Sequence, residues 1–158
     1  MLYEKFEEKN VHLTLLDVAL QLTSGEIKDV SNMVLLVLKS FKQIIRDFEF
    51  DDDKKSTVGD KLRVEIESAI SFTKYFTGPC EGLERFYTFL NTLFSMVVYR
   101  KDVKIEELKE WVLEKLNEFI MKKIIESEEF IVDCGVELLK DVKTIMIYSF
   151  SSVLQKIL

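Results

Sequence analysis

The longest helical pattern in this chain lies between residues 105 and 138, and it constrains the fold more than any other feature. Apolar residues recur here every three or four positions, and one residue of the series, Ser127, is polar. The series is Ile105, Leu108, Val112, Leu116, Phe119, Ile120, Ile124, Ser127, Ile131, Cys134 and Leu138. This spacing predicts a single helix about 50 Å long, because each helical residue adds about 1.5 Å. Since a compact four-helix domain needs no rod of that length, we expect its far end to pack against something else.

Four shorter stripes with the same spacing precede the rod and predict four more helices. They are Leu13, Leu16, Ala19 and Leu20; then Ile27, Val30, Val34, Val37, Leu38, Phe41, Ile45 and Phe48; then Leu62, Ile66, Ala69, Ile70 and Phe76; and finally Leu83, Phe86, Leu90, Leu93, Phe94 and Val97. The breaks between them are Ser24-Gly25, the charged run 51–57 and Thr77-Gly78-Pro79. Residues 1–140 are therefore expected to form an all-α bundle of about five helices.

The last 18 residues have a different character. Lys143 to Tyr148 is rich in β-branched and aromatic residues, which predicts a buried strand. Ser149 to Ser152 follows as a small polar turn, and Val153 to Leu158 reads as the start of a helix. Strand, turn and helix in this order begin a parallel α/β sheet, but one strand cannot form a sheet. We therefore expect residues 141–158 to begin a second domain.

The serines of this turn allow two interpretations. Ser149, Ser151 and Ser152 could place hydroxyl groups beside the free N–H groups of a helix start, which is an arrangement that binds phosphate. Alternatively, Ser151 or Ser152 is an N-cap of the following helix.

Charge and composition exclude several classes of function. A net charge of −6 gives no general attraction to nucleic acid. Met1 to Asn10 is charged and has no apolar signal core, and the apolar run Met33 to Leu38 is far shorter than the roughly 20 residues of a membrane span. A cytoplasmic location without nucleic acid or membrane partners is expected.

Residues that could carry chemistry are few. His12 is the single histidine, so neither a catalytic dyad nor a histidine-rich metal site is predicted, and a position on a helix flank is expected. Asp51 to Asp53 lacks the spacers and glycine of a calcium loop. Cys80 and Cys134 have no metal-type spacing and are expected to be reduced thiols. No metal and no cofactor is therefore expected.

The end of the chain resembles a known family. This family includes ribose-1,5-bisphosphate isomerase, methylthioribose-1-phosphate isomerase and the alpha, beta and delta regulatory subunits of eukaryotic translation initiation factor 2B. The residues that resemble its motif are Ile131, Asp133, Leu139, Lys140, Asp141, Ile145, Met146, Phe150, Ser151 and Val153. The resemblance implies a helical N-terminal domain, ending in a long helix, followed by the first strand of a Rossmann-like domain.

The chain departs from the isomerases of this family where their chemistry takes place. Ser149 stands where the isomerases have a catalytic cysteine, and Ile147-Tyr148 replaces a Thr-His pair. Arg46 is the earliest arginine and is followed by aspartate rather than by the Gly-Ala of their phosphate-binding motif. A serine hydroxyl does not replace a low-pKa thiol. The resemblance therefore implies a non-catalytic regulatory module that docks the alpha subunit of initiation factor 2 or sister subunits.

Two alternatives stay open at this point. The chain could be the front part of a sugar-phosphate isomerase or nucleotide-binding relative, with a phosphate near Ser149 to Ser152. It could also be a free-standing helical adaptor, a homodimer in which residues 143–148 pair with a second copy.

Overall fold

The computed structural model describes residues 11–27, 29–49, 58–97, 104–148 and 151–158. Regular structure in these ranges is entirely helical. The helices are α1 (Leu13–Thr23), α2 (Val30–Asp47), α3 (Val58–Thr77), α4 (Glu81–Val97), α5 (Ile105–Ile120), α6 (Glu126–Leu139) and α7 (Ser152–Ile157). A π-helical turn, Met121–Ile125, joins α5 to α6 without a break, so the predicted rod exists. The all-α prediction is confirmed, with six helices in the described ranges when the rod is counted as one.

The core lies between α2, α3, α4 and α5, and its aromatic centre joins α2, α4 and α5. The Phe41 ring of α2 packs edge-on against the Phe86 ring of α4, with centroids 5.3 Å apart. Phe86 also lies 5.8 Å from Phe119 of α5, and Phe89 stacks on Phe119 at 4.5 Å. Such ring pairs add to the free energy gained by burying their large apolar areas. The predicted stripes of α2 to α5 supply most of this core.

Two predicted helix ends owe their geometry to glycine. Gly25 has a φ of 75° and Gly78 has a φ of 65°, a backbone region that L-residues with side chains rarely adopt. After α1, the Glu26 N–H donates to the Gln21 carbonyl at 3.1 Å, and the Gly25 N–H donates to the Leu22 carbonyl at 3.2 Å. This pair of bonds is a Schellman motif, which satisfies the last carbonyls of the helix.

The predicted buried face of α1 is correct in part, because Leu16 and Ala19 are half-buried against the core. Leu13 and Leu20 are exposed, whereas Leu15 and Val18 point into the core. Apolar residues surround this short helix on most sides, so their spacing does not select one face. The contacts of α1 with α2 and α3 select it instead.

The two halves of the rod differ in burial. Leu108, Val112 and Leu116 of α5 are fully buried against the bundle. None of the residues of α6 is buried. Ser127, the polar residue of the stripe, follows the π-helical turn, and its hydroxyl donates to the Lys122 carbonyl at 3.2 Å. The far end of the rod thus extends beyond the core, as its length predicted.

The predicted strand is absent from the described part of the tail. Residues 144–148 have no regular structure, and residues 140–148 are all exposed. Met146 and Tyr148 are almost completely exposed despite their apolar character. A strand needs a neighbouring strand to pair its backbone groups, and the described residues offer none. The predicted helix start, in contrast, is confirmed as α7.

Candidate functional site

The described serines of the tail cap a helix. Ser151 is the N-cap of α7, and its hydroxyl accepts a hydrogen bond from the Leu154 N–H at 3.3 Å. Ser152 is the first residue of the helix, and its hydroxyl donates to the Asp29 carboxylate at 2.9 Å. Ser149, the third predicted residue of the turn, lies outside the described residues. A carboxylate beside Ser152 repels an anion, so the contacts of Ser151 and Ser152 favour the capping interpretation, while phosphate binding stays a prediction.

Asp29 is a site residue that the sequence stripes did not indicate. It is buried, with 8% of its surface exposed, and it precedes α2 as the N-cap. Its Oδ2 atom accepts from the Asn32 N–H at 3.1 Å, as an N-cap side chain does. The aspartate before a helical stripe was the available signal, but the stripe begins at Ile27 and placed the helix start too early.

Helix α7 lies on α6, and one glycine makes the approach possible. A Cβ atom on Gly135 of α6 would lie 2.5 Å from the Cδ1 atom of Ile157 and 2.9 Å from its Cγ1. The Lys156 ammonium also donates to the Glu128 carboxylate at 2.6 Å. This hydrogen bond raises the pKa of Lys156 above its ordinary value of 10.5. The position of α7 is therefore set by two contacts with α6, at Gly135 and Glu128, and by the contact of Asp29 with the first residue of α7.

A second side of α6 is apolar and open to solvent. Phe130, Ile131, Cys134 and Leu138, which we call the exposed rod face, follow one another at helical spacing and are all exposed. The exposed fraction is 69% for Phe130 and 78% for Leu138. Val142, Ile145, Met146 and Ile147 continue this apolar surface along the chain. Contiguous exposed apolar residues of this kind mark interaction surfaces.

His12 is a helix cap, at the helix flank where it was expected. Its Nδ1 atom accepts from the Thr14 N–H at 3.4 Å, and its Nε2 atom lies 3.2 Å from the Asp47 carboxylate. The cavity beside it, lined also by Glu65 and Ser68, has a volume of about 10 Å³. A space of that size holds about one water molecule and no substrate.

One buried polar atom of the described core lacks a well-formed hydrogen bond. The hydroxyl group of Tyr87, on α4, lies next to the hydroxyl groups of Thr73 and Thr77, but the geometry within the described ranges makes no hydrogen bond with either. Burial raises the pKa of this hydroxyl well above its ordinary range, because a phenolate would lose its hydration. Tyr87 is therefore a neutral core residue at physiological pH.

Within the described ranges, neither a cluster of metal-ligating side chains nor a membrane-spanning helix is present. The described residues contain no group of three or more His, Cys, Asp or Glu side chains placed to hold a metal ion. Asp51 to Asp53 lies outside these ranges. Cys80 and Cys134 are both free. Among the helices of the described ranges, none has the length and apolarity to cross a membrane.

Comparison with known proteins identifies the class. Residues 30–158, which make up most of the chain, match the model of the Initiation factor 2 subunit family. The chain therefore belongs to this family, as the resemblance of its tail indicated. A curated relative is translation initiation factor eIF2B subunit delta from Schizosaccharomyces pombe, which is 25% identical over 150 residues. That match covers 95% of this chain and 31% of the relative.

Solved structures share the fold. The crystal structure of eIF2B delta from Chaetomium thermophilum superimposes with a TM-score of 0.82 at 19% identity, covering 95% of this chain and 54% of that one. A chain of the tetrameric eIF2B-beta2-delta2 complex from C. thermophilum superimposes with a TM-score of 0.82 at 19% identity. This match covers 94% of the present chain and 47% of the chain in the complex. The chain thus spans about a third of its curated relative and about half of each solved chain, and it resembles an initiation factor 2B subunit.

Proposed function

We propose that this chain is a non-catalytic, cytoplasmic regulatory module of an initiation-factor-2B-like subunit and works by binding other proteins. Membership of the Initiation factor 2 subunit family carries the proposal. The exposed rod face supports it, because an apolar helix surface open to water is a common means of protein recognition. The capping role of Ser151 and the bond of Ser152 to Asp29 agree with a module that catalyses no reaction.

The proposed domain organisation is a helical domain at residues 1–140 and the beginning of a Rossmann-like domain at 141–158. The exposed rod face and the apolar residues 142–147 lie next to this boundary. A domain continuing from Leu158 would provide partners for the strand predicted at residues 143–148. The exposed rod face, in contrast, is assigned to a partner protein.

Sister subunits are the proposed partners, with the alpha subunit of initiation factor 2 as the second choice. The similar chain of known structure occurs in a tetramer of beta and delta subunits, which supports the first choice. We expect this chain to co-elute with the initiation-factor-2B beta subunit of its own organism in size-exclusion chromatography at micromolar concentration. Separate elution from both candidate partners would contradict the docking proposal.

A pair of variants tests whether the exposed rod face takes part. Leu138→Glu places a charge on this face, and Leu13→Glu places one on α1 at an equally exposed leucine, with exposed fractions of 78% and 79%. We expect Leu138→Glu to weaken partner binding at least tenfold and Leu13→Glu to leave it unchanged. Equal effects of the two variants would show that the rod face is not the docking surface.

The alternatives predict different results in the same samples. Ribose phosphates or AMP should raise the melting temperature if an isomerase-type phosphate site persists near Ser149, Ser151 and Ser152. A homodimer that dissociates on Ile145→Lys substitution would favour the free-standing adaptor. Our proposal expects no stabilisation by these ligands and no such dimer.

A further inference from the structure

We propose that Asp29 is a positioning residue that fastens α7 to the helical domain by capping two helices with one carboxylate. Its Oδ2 atom accepts from the Asn32 N–H of α2 at 3.1 Å and from the Ser152 hydroxyl of α7 at 2.9 Å. Its Oδ1 atom faces the Ser152 N–H at 3.4 Å. Asp29 and Ser152 are 123 residues apart in the sequence.

The chemistry of a helix start explains why one carboxylate serves both. The first N–H groups of a helix have no partner within the helix and carry partial positive charge. In α7, Ser151 satisfies the N–H of Leu154, and Asp29 faces the N–H of Ser152. In α2, Asp29 satisfies the N–H of Asn32. A carboxylate that is 8% exposed is therefore stabilised by two helix starts and a hydroxyl group.

Helix α7 depends on such contacts because it is short. It has six residues, and helices of that length are not stable in water on their own. Its other contacts, Ile157 on Gly135 and Lys156 with Glu128, are made with α6. Asp29 adds the bond to α2, so α7 is held by both the core helix and the rod. Residues 151–158 are therefore attached to the bundle as well as to the rod.

This inference goes beyond the proposed function, since it does not depend on which protein binds. It gives α7 a fixed position relative to α2, and it assigns that position to the contact between Asp29 and Ser152. If the domain proposal is also correct, the same contact sets the direction in which the second domain leaves the bundle.

Hydrogen exchange of the 158-residue chain tests the contact directly. Ser152→Ala removes the α7 side of the bond and leaves the cap of α2 in place. We expect the amides of residues 153–158 to exchange about 10- to 100-fold faster, the range for losing one hydrogen bond to a charged group, with unchanged exchange in α2. Ser152→Thr keeps a hydroxyl group and should restore most of the protection.

Asp29→Ala provides the second measurement. Because the carboxylate caps both helices, this variant should speed exchange in α7 and in the first turn of α2, whereas Ser151→Ala should affect α7 alone. The proposal is overturned if Ser152→Ala leaves exchange in α7 unchanged, or if Asp29→Ala affects α2 without α7. Partner binding is not part of the readout, so a failure of the docking proposal leaves this test intact.

Discussion

The helices α5 and α6 belong to one rod and carry the same apolar spacing, yet they have opposite surroundings. The stripe of α5 is buried at Leu108, Val112 and Leu116, whereas Phe130, Ile131 and Leu138 of α6 are exposed. An apolar stripe therefore predicts a helix and a contact, but it does not say where the contacting surface is. In α5 that surface is the bundle itself, and in α6 we propose that it lies in a partner protein.

Truncation of matched leucines gives the largest expected contrast. Leu116→Ala removes a fully buried side chain and should lower the free energy of unfolding by about 2–5 kcal/mol. Leu138→Ala removes a side chain that is 78% exposed and should change it by less than about 0.5 kcal/mol. Urea titration followed by circular dichroism measures both values. A similar loss in the free energy of unfolding for the two variants would show that Leu138 has an unrecognised contact, so that α5 and α6 would not differ in burial.

Gly135→Ala tests the side of α6 that is covered. The new Cβ would lie 2.5 Å from Ile157, so the Ile157 side chain must move and α7 should loosen. Alanine favours the helical backbone by about 1 kcal/mol over glycine, so global stability should change little. We expect faster hydrogen exchange in residues 153–158 and a nearly constant melting temperature. Adding Ile157→Ala should relieve the clash; if exchange in α7 is unaffected by Gly135→Ala, the close packing described here is wrong.

Tyr87→Phe tests the buried core, where the side chain of Tyr87 lies on α4. The hydroxyl group is buried and makes no well-formed hydrogen bond among the described residues, so its removal should leave stability unchanged or raise it by up to about 1 kcal/mol. Ser40→Ala is the control, since the buried Ser40 hydroxyl donates to the Leu36 carbonyl at 3.1 Å. The control should destabilise the protein by about 1 kcal/mol. Thermal unfolding measures the change in stability of both variants. A loss of stability in Tyr87→Phe would show that this hydroxyl group has a hydrogen-bond partner.

The smallest predicted effect is a pH dependence at the contact of α7 with α6. The hydrogen bond to Glu128 raises the pKa of Lys156 in the folded protein. The protonated form is the one stabilised, so the contact is complete below about pH 10.5 and is lost as the pH rises through the raised pKa. The methyl signals of Ile157 in NMR spectra should shift with that transition. Lys156→Met should remove the shift, and a titration unchanged by this variant would exclude Lys156 as its source.

The sequence predicted the helices well because their signal is local. Each of the stripes in α2, α3 and α4 repeats over several turns, and residues such as Phe41, Ile66 and Leu90 are buried as expected. The face of α1 was predicted only in part, since apolar residues lie on most sides of this short helix and the stripe included Leu13 and Leu20, which are exposed like Asp17. The strand at residues 143–148 failed to form for a different reason, because its propensity has no effect without a second strand.

The site was less predictable than the fold. Ser151 and Ser152 were found because helix-start chemistry is visible in a short segment. Asp29 was not, because its contact with Ser152 joins distant parts of the chain, and no periodicity links them. Family membership could be predicted from the tail, but the residues that hold the tail in place required the folded structure.

The π-helical turn at Met121–Ile125 has a consequence for changes in chain length. A wide turn of this kind takes up one extra residue within the helix. Deleting one residue inside it should therefore restore an ordinary α-helical turn and leave Gly135 facing α7. Deleting one residue within α5 should instead rotate everything downstream by about 100°, the angle between successive helical residues. The middle of the rod is thus where one residue can be removed without misdirecting its far end.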